Sequence, residues 1–243
     1  MSNTNDKTSK RTSVESALIK EEPSPRLVPP PYQPYGKMFS SFMGLSIPII
    51  IQCNFVLFTI VTNIVFAGRF NDAAKLAGVG LGITITHILC LSILMGMNGA
   101  LETLVSQAFG FGNLNLCGQY LNRARILTSI AFIPLAMILI WSETILLKLK
   151  QDPETSMYAH KYIVASIPAM FFFGMFDMQK RFLNCMQLSQ VPMVAQIVST
   201  VFHLFWCYYF LTVKGYDVEG LGYALSVTAI TQFIFALIYT SCV

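Results

Sequence analysis

Gln52, Thr59 and Asn63 are 7 and 4 positions apart, and Gln196, Ser199, Thr200 and His203 are 3, 1 and 3 apart, within two stretches that carry no charged residue. At 100° per residue the first set falls inside about 40° of helix circumference and the second inside about 100°. Each set is therefore one polar stripe on an otherwise apolar helix. Amides and hydroxyls offer hydrogen bonding, and His203 adds a group that titrates near physiological pH. Such a stripe has two uses in a membrane: interhelical bonding that holds a bundle together, or the wall of a water-filled cavity. The remaining residues offer little for catalysis. No metal-spaced His/Cys cluster, nucleophile elbow or paired carboxylates occur within a span, so the expectation is a protein that is not an enzyme and holds no metal or cofactor.

The elements that carry these stripes are set by where charge is absent. No Asp, Glu, Lys or Arg occurs in the 31 residues between Lys37 and Arg69, the 26 between Lys75 and Glu102, the 32 between Arg181 and Lys214, or the 24 after Glu219. Ile126 to Ser142 and Tyr162 to Phe176 are two shorter runs of the same kind. About 20 apolar residues cross a hydrocarbon core of about 30 Å as a helix. The expected fold is an all-α polytopic membrane bundle of six transmembrane helices, at about 40–67, 76–98, 119–142, 157–180, 190–213 and 219–242. A composition of 54% hydrophobic and 12% charged residues, with a mean hydropathy of +0.59, agrees. The net charge of +4 gives no sign of a nucleic-acid partner.

Residues 1–36 differ, being rich in Ser, Thr, Lys, Glu and Pro, and are expected to form a disordered cytoplasmic tail ahead of a 37–243 transmembrane lobe. They contain no apolar signal-peptide core, so the first span is expected to act as its own insertion signal. Pro29-Pro-Pro-Tyr32 is a PPxY pattern, which reads either as a proline-rich spacer or as a docking site for a WW-domain protein. Basic residues favour a cytoplasmic amino terminus by seven to six. Pro48, Pro134 and Pro168 predict kinks, because each removes a backbone donor from its span. Gly78 and Gly82, four apart, predict a close helix contact. The six cysteines, four within spans and two near span ends, read as packing residues. Asp177 and Arg181, four apart on one helix face, predict an ion pair at headgroup level, and Glu102 is expected to pair with backbone donors or with Arg123 or Arg125.

The connection between the second and third spans reads Asn98-Gly-Ala-Leu-Glu102-Thr-Leu-Val-Ser-Gln107-Ala-Phe-Gly110, then Gly118-Gln-Tyr-Leu-Asn-Arg123. This resembles the "ALETL..QA.GA" and "G.YLQR" segments of the multidrug and toxic compound extrusion (MATE) family, in its eukaryotic branch. Phe66-Ala-Gly68 with Leu76-Ala-Gly78, Ile167-Pro168-Ala169, Arg181-Phe-Leu-Asn-Cys-Met-Gln187 and Gly220-Leu-Gly222 resemble further family segments in the same order. Gly68, Glu102, Gln107, Gly110, Arg123, Pro168 and Asp177 are accordingly grouped as motif or architectural positions. The resemblance covers about residues 38–243 and corresponds to the amino-terminal lobe of a two-lobed transporter.

What the resemblance implies is an antiporter that exports organic, cationic small molecules or drugs, coupled to a proton or sodium gradient. The principal coupling glutamate of the eukaryotic branch lies on a seventh helix, which this chain does not reach. Prokaryotic relatives place coupling acids in the first lobe, at positions matching Asn63 and the neighbourhood of Cys207, neither of them acidic. If protons are handled within this lobe alone, His203 is the candidate; the alternative is a neutral ring bonded to a neighbouring helix. The implied partners are membrane lipid, the small-molecule substrate, H+ or Na+, and a second lobe or homodimer. The expected location is a multi-pass membrane protein of the plasma membrane or a vacuolar-type membrane. Two alternatives remain: a non-transporting product of a truncated or split gene, and a lipid-linked saccharide flippase, ranked last because the spans show no cationic residue for a cavity.

Overall fold

The computed structural model describes residues 34–242, which leaves the Pro29–Tyr32 segment and nearly all of the expected tail outside the described residues. Six long apolar helices are present: α1 (Tyr35–Gly68), α2 (Ala73–Gly110), α3 (Leu114–Ile140), α5 (Pro153–Cys185), α6 (Gln190–Val213) and α7 (Glu219–Cys242). A short α4 (Ser142–Lys148) links α3 to α5 and was not expected. Each of the six long helices is long and apolar enough to cross a bilayer, and the protein is an integral membrane protein. Residues 1–40 form a separate unit whose described part is the opening of α1, where the Lys37 N–H donates to the Pro34 carbonyl at 2.9 Å. Residues 41–243 form the second unit, and the packing that follows concerns it.

Helix α5 is the hub. Its apolar window is 67% buried against 22–44% for the other five, and it packs on α2, α3, α4 and α7. The other helices expose Phe58, Ile130, Ile133 and Phe202 outward, as lipid-facing surfaces require. Glycines permit the closest approaches to the hub. A Cβ on Gly78 would stand 2.7 Å from Tyr158 Cβ and 3.0 Å from the Ala159 nitrogen, and one on Gly222 would stand 2.6 Å from Ala165 Cβ. Gly78→Val is therefore expected to push α2 off α5 and cost about 1–3 kcal/mol. Thermal unfolding in detergent measures this, and an unchanged midpoint contradicts it.

The second span runs twelve residues past its expected end, so the family-like segment Asn98–Gly110 is helix rather than loop. The helix ends where the backbone leaves the α region at Gly112, φ +74°. There the Asn113 N–H donates to the Ala108 carbonyl at 3.0 Å and the Gly112 N–H to Phe109 at 2.9 Å, a Schellman closure. Asn113 Oδ1 then accepts from the Leu116 N–H and starts α3.

Pro48, Pro134 and Pro168 all lie within continuous helix, and the departures from α winding are elsewhere, as π turns at His87–Leu91 and Tyr209–Val213. In the first of these the Ser92 hydroxyl donates to the His87 carbonyl at 3.1 Å. Cys90, Cys117 and Cys207 are buried as packing residues, whereas Cys53 is exposed. Its position beside Gln52 turns it off the buried stripe.

Candidate functional site

Both stripes face inward and meet. Gln52, Thr59 and Asn63 on α1 and Gln196, Ser199, Thr200 and His203 on α6 are all at most 8% exposed. Thr59 Oγ1 and Thr200 Oγ1 are 3.3 Å apart, Gln196 Nε2 donates to Thr200 Oγ1 at 3.4 Å, and the Thr200 hydroxyl donates to the Phe55 carbonyl at 3.4 Å. Gln52 is separate: its Nε2 donates to the Ser189 carbonyl at 2.8 Å, tying α1 to the start of α6. The Ser199 hydroxyl turns back to Ala195 of its own helix.

Toward the other end of α1 lies a node built around His203. Its Nε2 is 3.1 Å from Asn63 Oδ1 and its Nδ1 is 2.9 Å from Thr228 Oγ1, while the Thr228 hydroxyl lies 2.8 Å from the Ala224 carbonyl. Cys207 Sγ is 3.4 Å from Nε2, and Asn63 also bonds Tyr162. These contacts satisfy both protonation states of the ring. With the ring neutral, Nε2–H donates to Asn63 and the Thr228 hydroxyl donates to Nδ1. With the ring charged, Nδ1–H donates to Thr228, whose own proton turns to Ala224. One hydroxyl rotation accommodates the added proton, and no ring nitrogen is left unpaired in either state.

A second node joins α2 to α5. Asp177 is 1% exposed and holds two cations, Lys180 at 2.7 Å and Arg181 at 2.9 Å, and it accepts from Asn98 Nδ2 at 3.0 Å. Arg181 Nη1 reaches Glu102 Oε2 at 2.6 Å. The expected Asp177–Arg181 pair is present, and its carboxylate is buried within the bundle because α5 is the hub. Glu102 pairs with Arg181, not with Arg123 or Arg125, since α2 lies against α5 at that level.

Between the nodes a cavity of about 360 Å3 is bounded by α1, α2, α5, α6 and α7. Thr59, Gln196, Thr228 and Gln232 line its middle, Tyr162 reaches it from the His203 node, and Asp177 and Lys180 close the other end. From Tyr162 to Lys180 along α5 is about 27 Å at helical rise. The rest of the wall is apolar, including Leu91, Met170, Phe173 and Leu225. The absence of any cationic residue at the cavity, expected from the sequence, does not hold, because Lys180 reaches it. Thr228, Gln232, Tyr162 and Asn98 were not singled out from the sequence. Thr228 and Gln232 left a signal, a four-residue polar spacing within the charge-free last run, like that of Thr59 and Asn63.

The remaining motif positions lie away from the cavity. Gly68, Gln107, Gly110, Arg123 and Pro168 are exposed and do not line it. Gln107 contributes through its carbonyl, which accepts the Phe111 N–H at 3.1 Å in the turn after α2.

A sequence model of the family described as MatE matches residues 35–209. The chain is 27% identical over 197 residues to multidrug and toxin extrusion protein 1 of Xenopus tropicalis, covering 81% of this chain and 34% of that protein. It is 31% identical over 182 residues to protein DETOXIFICATION 3 of Arabidopsis thaliana, covering 75% of this chain and 37% of that one. The fold superposes on the crystal structure of the eukaryotic MATE transporter AtDTX14 with a TM-score of 0.79 at 20% identity, over 84% of this chain and 46% of the other. The chain thus spans about a third of the length of these curated relatives and under half of that solved transporter. With the family segments on α2 and α3, six spans in the same arrangement and a match through most of its residues, this chain belongs to the MatE family.

Proposed function

We propose that this chain forms one six-helix lobe of an antiporter that exports organic, cationic small molecules by alternating access, in exchange for protons taken up through His203. It is a transporter and not an enzyme. The observation that carries the reading is the cavity itself: a largely apolar, partly open cleft between membrane helices, with hydroxyls and amides from four helices and a titratable node adjoining one end. The relatives in Xenopus and Arabidopsis, named for extrusion and detoxification, support it.

A single lobe has no opposing wall to rock against, so a second six-helix lobe completes the pathway, contributed by further chain or by a second copy. Six spans return both lobes to the same orientation, which allows them to sit about an axis along the membrane normal. The segment ending at Tyr32 is read as a spacer that offers a PPxY site to a WW-type domain.

The test is export of a fluorescent organic cation from vesicles that contain the protein. An imposed proton gradient is expected to drive movement, and a sodium gradient is not. No movement under either gradient, together with crosslinking that yields only monomer, contradicts the reading.

A further inference from the structure

Arg125 is a half-buried cation with no counter-ion among the described residues. Its Nη1 donates to Asn122 Oδ1 at 3.1 Å, its Nε is buried without a partner, and no carboxylate among the described residues pairs with it. Lys75, Lys180 and Arg181, by contrast, each hold a carboxylate within 3.0 Å. A guanidinium partly removed from water and left unpaired is costly, which points to an anion from outside the described residues.

The position of Arg125 limits what that anion is. Immediately after it α3 presents its lipid-facing side chains, with Ile126 62%, Ile130 60% and Ile133 59% exposed. Immediately before it Asn122 and Arg123 are exposed and polar. Arg125 thus stands at the boundary between headgroups and hydrocarbon. It lines a crevice of about 470 Å3 among the start of α3 and the ends of α5 and α7, with Asn115, Asn122, Thr240 and Ser241 on the polar wall and Phe182 on the apolar one.

We infer that this crevice binds the phosphate of an anionic phospholipid headgroup. The guanidinium presents a planar fork that suits phosphate oxygens, and Nη2, which is neither buried nor bonded to any described residue, is the arm that faces the crevice side. Asn122 uses its carbonyl oxygen on Arg125 and keeps its amide N–H groups to donate, as does Asn115. The acyl chains then continue along the lipid-exposed surface of α3. The crevice opens at the end of the bundle where α3 begins and α5 and α7 finish, and a basic side chain near the membrane surface attracts anionic headgroups.

The experiment uses the full chain purified in phosphatidylcholine micelles and titrated with phosphatidic acid, with unfolding midpoint and apparent affinity as readouts. Phosphatidic acid is expected to raise the midpoint saturably. Arg125→Gln is expected to weaken the apparent affinity by at least about tenfold, the loss of one charge-assisted hydrogen bond. Arg125→Lys, which keeps the charge, and Asn115→Leu, on the crevice wall, are expected to weaken it less, and they carry the test if Arg125→Gln does not fold. Arg123→Gln, exposed on the same helix, is expected to respond as the unaltered protein does. A wild-type response in Arg125→Gln, or in both Arg125→Lys and Asn115→Leu, overturns the assignment. So does an equal loss in Arg123→Gln, which indicates general surface charge, or a matching response to inorganic phosphate alone, which indicates a free anion rather than a lipid.

Discussion

Asp177→Asn is expected to destabilise the bundle by about 3–5 kcal/mol, the cost of removing one partner from a buried charge cluster. The substitution keeps the shape but strips the carboxylate from Lys180 and Arg181, whose side chains are only 16% and 23% exposed. Arg181 retains Glu102 at 2.6 Å, so the damage centres on Lys180, which is left facing the cavity without a carboxylate. Adding Lys180→Met to Asp177→Asn is accordingly expected to recover much of the loss. Unfolding by heat or denaturant in detergent measures both. A loss below about 1 kcal/mol, the range of exposed pairs, shows that water reaches this cluster freely.

His203→Gln is expected to abolish acceleration of export by a proton gradient while the protein still folds and inserts. Glutamine hydrogen-bonds toward Asn63 and Thr228 but takes up no proton. His203→Gln therefore separates titration from bonding, which His203→Ala does not: alanine removes a buried partner from both Asn63 and Thr228, leaving them their bonds to Tyr162 and Ala224. Thr228→Val removes the rotor that lets Nδ1 both accept and donate, and is expected to weaken the same acceleration. Export in His203→Gln that still rises with the gradient shows that His203 is a satisfied structural ring and that coupling lies elsewhere.

Much of this bundle is legible from charge alone, because lipid excludes charge from long helical surfaces; the start of α7 at Glu219 falls where the charge pattern puts it. The end of α2 is not legible that way. Glu102 closes a charge-free run but does not break a helix, and the break comes from Gly112, whose positive φ a side chain resists. Inward polar stripes follow from periodicity, and both were readable. Which helices touch is a tertiary matter, so Glu102 was assigned neighbours about 20 positions along the chain, whereas its partner Arg181 is 79 positions away. The burial of Asp177 was hidden for the same reason: a carboxylate near a span end reads as exposed unless its helix is known to be the hub. Thr228 and Gln232 escaped notice because two residues make a short stripe.

The central claim is that the space between the nodes is a wet pathway for organic cations rather than dry packing. The direct measurement is thiol labelling in membranes, with the native cysteines replaced and a single cysteine placed by Gln232→Cys on the cavity wall or by Ile133→Cys on the outer surface. The account predicts that a charged, water-soluble maleimide labels the Gln232→Cys protein, that an organic cation slows this labelling, and that the Ile133→Cys protein stays unlabelled. A Gln232→Cys protein inert to that reagent, or labelled at a rate no organic cation alters, contradicts it.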